Sequence, residues 1–154
     1  MTRRLIRGGS KFEDLASFSR AVVDGDMIYL SGTTGLDPAT GKFPDDVVAQ
    51  TEMAFRHIET ALDQAGAALA DVLRVVVYIT DRAYLMPVCE VVGRKFKDVR
   101  PANTTVIAQL AVADFERLSH ALSGLGEDEH LIRTRIEIAE EKPAFFVGEH
   151  DHVR

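Results

Sequence analysis

The sequence predicts an α+β fold in which one mixed sheet carries two helices on one face. Two long stretches place apolar residues at helical spacing, while the shorter ones between and around them are β-branched or alternate strictly. Their order, ββ-α-β-α-β-β, groups strands at both ends instead of alternating strand and helix throughout. Each element has its own local justification.

The first two strands flank Asp24-Gly25-Asp26. Phe18 to Val23 and Met27 to Ser31 are β-prone, and Asp-Gly between such runs signals a tight hairpin. The stretch GLDPATGKFPDD that follows is a loop, dense in Gly, Pro and Asp. From Asp46 to Ala65 the period becomes helical. Asp46 fits the N-cap, and Val47, Ala54, Phe55, Ile58, Ala61, Leu62 and Ala65 share a face. Gly66 supplies the stop.

VLRVVVYIT, residues 72–80, has the composition of a central strand. Residues 84–99 form the second amphipathic helix, with Pro87 in its first turn. Arg100-Pro101 ends it, and TTVIAQL, residues 104–110, is a strand. The last strand runs from Leu131 to Ile138. Ile132, Thr134, Ile136 and Ile138 take one face; Leu131, Arg133, Arg135 and Glu137 take the other.

The 154 residues suit one domain, 1–154, with no repeat or low-complexity linker. Residues 1–15 read as a polar arm, 111–130 as an inserted segment and 140–154 as a polar tail. Two helices cover only one face of a four- or five-stranded sheet. VVVYI and TVIAQL are too apolar for water on the other face. Other copies of the chain are expected to cover it, with small-molecule sites between subunits.

Charge narrows the function classes. Lys and Arg number 18 against 24 Asp and Glu, for a formal charge of −6. That argues against nucleic-acid backbone binding, which needs a basic surface. No stretch approaches the roughly 18 apolar residues of a membrane span, and no signal-peptide core follows the N-terminus. A cytoplasmic protein without a membrane partner is expected. Cys89 is the one cysteine, so neither an intrachain disulfide nor a cysteine-cluster metal site can form.

No phosphate loop, His-Glu-x-x-His or Cys-x-x-Cys occurs. His150, Asp151 and His152 read as a solvated tail, His120 and His130 as surface or packing residues, and His57 as a solvated residue of the first helix. Cys89, three residues before Val92 and seven before Phe96, reads as a buried thiol. Glu137, a carboxylate between two isoleucines, is the candidate for orienting or deprotonating a water. Arg135 stands about 6–7 Å away along the same strand face. Asn103, Thr104 and Thr105 open a strand and offer polar side chains there.

Several stretches together resemble the Rid family, also called YjgF or reactive-intermediate deaminase. They are FSRAV (18–22), GDMIYLSG (25–32), Asp37-Pro38, Gly41, Gln50-Thr51, QAG (64–66) and Asp71-Val72. VYITD (77–81), Phe96, RPANTTV (100–106) and Ile136-Glu137 complete the set, so the resemblance covers residues 16–110 and 131–139.

It implies a chorismate-mutase-like fold and a homotrimer with three inter-subunit clefts. Its best-known members hydrolyse reactive enamines and imines to a keto acid and ammonia, without metal or organic cofactor. Other members carry an endoribonuclease label, or have no settled activity. The resemblance implies Glu137 as the water-positioning glutamate and Ser31 and Gly32 as cleft wall, with the backbone of Ser31 to Thr33 and the side chains of Asn103 and Thr105 expected to hold the substrate. Phe18 falls where many members have Tyr, Cys89 where deaminating members often have Asn, and Thr105 where Cys or Ala is frequent.

Asn103 stands where the family places its carboxylate-binding Arg. A neutral amide cannot offer the charged fork that a guanidinium does. Arg135, Arg20 and Arg117 are the cations considered as substitutes. The 111–130 segment also departs from the short turn usual in the family. The expected function is therefore hydrolytic deamination of an imine, enamine or related small metabolite. The alternatives are a trimer that binds a metabolite without turnover and, less favoured by the acidic balance, a ribonuclease.

Overall fold

A computed structural model describes residues 3–108 in full and the backbone of 132–139. Among the described residues seven strands form one mixed sheet. They are β1 (Arg4–Ile6), β2 (Ala21–Asp24), β3 (Met27–Leu30), β4 (Thr33–Thr34), β5 (Val72–Ile79), β6 (Ala102–Ile107) and β7 (Ile132–Ala139). The helices are α1 (Lys11–Leu15), α2 (Val47–Ala65) and α3 (Leu85–Lys95). Across the sheet the order is β1-β2-β3-β7-β5-β6, with β4 also on β7. Only β5 and β6 run parallel; the other pairs are antiparallel.

The hairpin forms where Asp-Gly predicts it. Asp24 pairs with Met27 across Gly25 and Asp26, and Gly25 takes φ +59, a region that favours glycine. Asp46 caps α2, its side chain accepting from the Ala49 N–H at 2.8 Å. Gly66 ends the helix in the left-handed conformation. Arg4 then reaches across from β1 and donates to the Gln64 and Ala65 carbonyls, at 2.9 and 2.6 Å. A cation there satisfies carbonyls that the helix leaves unpaired and matches the negative end of its dipole.

The core lies between the sheet and the two long helices. Val75, Val77 and Ile79 of β5 pack with Ile28 and Leu30 of β3 against Phe55, Ile58 and Leu62 of α2 and Val88 and Val91 of α3. Phe55 meets Phe96 edge to face at 5.5 Å. Outside this core, Lys95 joins the helices, bonding Glu59 at 3.0 Å and pairing with Glu52 at 3.5 Å, and Arg94 pairs with Glu52 at 2.9 Å. The register of β7 sets Ile132, Thr134 and Ile136 opposite Ile79, Val77 and Val75, which is the alternation its sequence predicts.

Several expectations are corrected. The arm at 1–15 contains a paired strand and a short helix. Its strand is only three residues long, with charged neighbours, so no periodicity marks it. With β4 it brings the sheet to seven strands where four or five were expected. The second helix stops at Lys95 instead of Val99, with Phe96 at its C-cap. Cys89 is exposed. The buried positions of α3 are Val88, Val91 and Val92, and Cys89 lies one residue, about 100°, off that stripe. The 111–130 segment, the 140–154 tail, Arg117, His120, His130, His150 and His152 lie outside the described residues.

Two outcomes follow from this packing. Gly35 lies against the first turn of α2, where an added Cβ would stand 2.1 Å from the Gln50 carbonyl oxygen. Gly35→Ala should therefore cost about 1–3 kcal/mol in chemical denaturation; unchanged stability would contradict the contact. The Arg94 hydrogen bond holds the Glu52 carboxyl below the ordinary glutamate value, and Lys95 adds attraction, against an opposing push from burial. A depressed folded-state value gives stability above the ordinary value that is lost as pH falls through the folded one. Thermal melts of wild type and Glu52→Gln should differ near neutrality and converge in acid; a gap independent of pH would contradict the pairing.

Candidate functional site

The open face of the sheet is set by register. Leu5, Val22 and Tyr29 pair in turn across β1, β2 and β3; Tyr29 pairs with Glu137 and Glu137 with Arg74. These positions alternate with the buried core positions, so they belong to the face that neither long helix covers. Leu5, Tyr29 and Leu73 are 54%, 43% and 57% exposed. Leu73 is extruded there by a bulge between Val72 and Arg74. Glu137 therefore occupies a row whose neighbouring strands contribute a tyrosine and an arginine. Arg135 takes the same face one pair further along, opposite Val76.

Arg74 and Tyr29 are the members of this group that sequence reasoning missed. Arg74 reads as one charge in a β-branched run, and nothing local says that β7 will lie beside it. Only the cross-strand register joins the two, and residues directly opposite in a sheet are near enough to interact.

A second group sits where the chain passes from β3 to β4. Tyr29 pairs with Glu137 and Thr33 with Thr134, so this side carries one residue more than β7 does. The extra residue is absorbed at Ser31-Gly32, a bulge. The Ser31 hydroxyl donates to the Ser19 carbonyl at 2.7 Å, and the Ser31 N–H donates to the Arg20 carbonyl at 2.9 Å. Thr33 is buried, and its hydroxyl donates to the Ser31 carbonyl at 3.0 Å. Arg20 donates to that hydroxyl at 3.4 Å and pairs with the Glu13 carboxylate at 3.6 Å.

Phe18 is half exposed in the turn before β2. Its N–H donates to the Glu13 carbonyl at 3.1 Å. Phe18, Ser19, Glu13 and Leu5 line a hollow of about 260 Å³. Arg7 and Asp14, an exposed ion pair, also line it.

Asn103 and Thr105 are elsewhere. They lie on β6, the edge strand, opposite Val75 and Val77, so register puts them on the helix-side face. Asn103 is exposed and its side-chain oxygen accepts from the Thr105 hydroxyl at 3.5 Å. Three strand spacings of about 4.8 Å separate β6 from the Ser31 bulge, roughly 14 Å. In one chain Glu137 and Arg135 therefore take the open face, while Asn103 and Thr105 take the helix-side face of β6, two strands away. The sheet itself stands between the two pairs.

His57 is not the solvated residue expected. It is half buried, and its Nε2 lies 2.8 Å from the Leu36 carbonyl oxygen, where it holds the loop after β4 against α2. Among the described residues no group of three or more His, Cys, Asp or Glu is placed to hold a metal ion. No helix among them is long and apolar enough to cross a membrane.

Comparison with known proteins gives this geometry a family. The family model described as Endoribonuclease L-PSP matches residues 9–116. Protein DfrA of Myxococcus xanthus is 37% identical over 109 residues, 69% of this chain and 83% of its own. Reactive Intermediate Deaminase A of Arabidopsis thaliana is 32% identical over 92 residues, 59% of this chain and 49% of its own. Among solved structures, a YjgF/YER057c/UK114-family protein of Mycobacterium tuberculosis superposes with a TM-score of 0.71 at 33% identity, covering 90% of this chain and 99% of that one. The seven-stranded sheet with its two long helices is thus the fold of those proteins. The chain belongs to the Endoribonuclease L-PSP family, the Rid or YjgF family.

Proposed function

We propose that the protein hydrolyses reactive imines and enamines, or a closely related small metabolite, at clefts between three copies of the chain. The observation that carries this reading is the split of the polar groups. Glu137 and Arg135 lie on the open face, and Asn103 and Thr105 lie two strand spacings away, roughly 10 Å, on the other face of the sheet. A neighbouring copy would bring its second group to the first group of this one. The exposed Leu5, Tyr29 and Leu73 supply apolar surface for that packing. The name of the Arabidopsis relative supports the chemistry.

In this reading Glu137 accepts a proton from a water as its oxygen bonds to the imine carbon. The proton passes to nitrogen, the resulting carbinolamine expels ammonia and the carbonyl forms. An enamine first takes a proton on carbon and then follows the same course. The Ser31–Thr33 backbone, Asn103 and Thr105 hold the substrate, with Phe18 and Cys89 at its sides. Arg135 is the nearest cation in sequence to Glu137. No metal or organic cofactor is needed, because the imine is already electrophilic.

Asn103 favours a second reading, a trimer that binds a metabolite without turnover, since a neutral amide anchors a carboxylate poorly. Imine hydrolysis assays separate the two. Glu137→Gln should lower kcat by roughly 100-fold or more with KM little changed. Undiminished hydrolysis in that variant removes Glu137 from the chemistry; no hydrolysis by wild type, together with a metabolite that co-purifies, favours binding alone. Asn103→Arg should raise kcat/KM about tenfold or more for imines that carry a carboxylate, given about 2–4 kcal/mol for such a contact. It should leave neutral imines unaffected, and an equal effect on both would rule out carboxylate anchoring at that position.

A further inference from the structure

We propose that Glu13 is a positioning residue, which acts through Arg20 to fix the Ser31–Thr33 bulge. Glu13 comes from α1, the short helix of the N-terminal arm, and is 2% exposed. Its side chain is wholly buried, an uncommon state for a carboxylate in so small a helix. A buried charge persists only where donors and an opposite charge surround it. Both its oxygens accept from the Gly8 N–H, at 3.1 and 2.9 Å, and Arg20 supplies the cation at 3.6 Å.

The guanidinium extends the chain of contacts. Arg20 donates to Thr33 at 3.4 Å, and Thr33 donates to the Ser31 carbonyl at 3.0 Å. The Glu13 backbone carbonyl meanwhile accepts from Phe18. One residue thus ties the bulge through its side chain and the Phe18 turn through its main chain. Gly8 closes the group: a Cβ there would lie 2.6 Å from Glu13 Oε1 and 2.9 Å from Arg20 Nε. The arrangement also occupies Arg20 internally. Its charge faces the Glu13 carboxylate, so Arg20 serves as a strut and not as an anchor for a substrate carboxylate.

This inference rests on Ser31–Thr33 being a wall of the proposed site. The experiment compares wild type, Glu13→Gln, Arg20→Met, the double variant and Gly8→Ala, which disturbs the same carboxylate without replacing it. Amide NMR spectra read the bulge directly, and imine hydrolysis reads its consequence. Glu13→Gln, Arg20→Met and Gly8→Ala should each shift the Gly32, Thr33 and Thr34 amide resonances while the α3 resonances stay in place.

Each should lower kcat roughly 10- to 100-fold, the effect of misplacing a reacting group by about 1 Å, with KM within about threefold. The double variant should be no worse than the poorer single one, because both act through one contact chain. Additive losses, or kcat and KM moving together with stability, would overturn the proposal. So would Glu13→Gln leaving the Gly32–Thr34 resonances unmoved. If wild type hydrolyses no imine, the functional reading falls, and the resonances alone decide whether Glu13 positions the bulge.

Discussion

The fold depends on one pairing, the insertion of β7 between β3 and β5. Without it the sheet is two separate pieces, joined only through α2: a hairpin extended by β1, and a parallel pair, β5 and β6. Both lie far from residues 132–139 in sequence, so the pairing closes long loops and must be repaid by burial. The repayment is visible in register. Ile136, Thr134 and Ile132 meet the buried Val75, Val77 and Ile79, while Ile138 meets Ile28 of β3. A slip of one residue would put the isoleucine set on the open face and bring Glu137 into the core. The same constraint that seats β7 therefore places the carboxylate on which the proposed chemistry depends.

The passage beside β7 from β3 to β4 is where the structure departs from a plain sheet. An extra residue at Ser31-Gly32 offsets that stretch from β7, while the Ser31 N–H keeps its bond to Arg20 beside β2. The bulge is supported from behind by the Ser31–Ser19 bond and by the line from Thr33 through Arg20 to Glu13. The N-terminal arm thereby acquires a role. Its strand caps α2 through Arg4, and its short helix delivers a carboxylate to the back of the bulge. Local irregularity held rigidly from behind suits a binding surface, because it fixes the side chains and backbone of the stretch in one arrangement.

Much of the fold was legible because its signals are local. Asp46 and Gly66 bracket α2, Asp24-Gly25 makes the hairpin, and β7 alternates without exception from Ile132 to Ile138. What escaped was short or non-local. Arg4–Ile6 is too brief to show a period and is a strand only because β2 accepts it. Cys89 was misplaced because spacings of three and seven residues fit a helical stripe centred on either side of it. Only the packing of Val88, Val91 and Val92 on α2 fixes the phase. The site was legible in part: Glu137 stands out as a carboxylate among isoleucines. Its cross-strand neighbours Arg74 and Tyr29 do not, because no sequence spacing encodes the order of strands.

In the proposed function one chain carries two halves of a site, and a neighbouring copy joins them. Light scattering on the eluting peak of a size-exclusion column tests it most directly. A trimer elutes with a mass about three times the 17.0 kDa of the chain, unchanged on dilution through the working range. A monomer at 17.0 kDa would contradict it, leaving Asn103 and Glu137 on opposite sides of one sheet with nothing to bring them together.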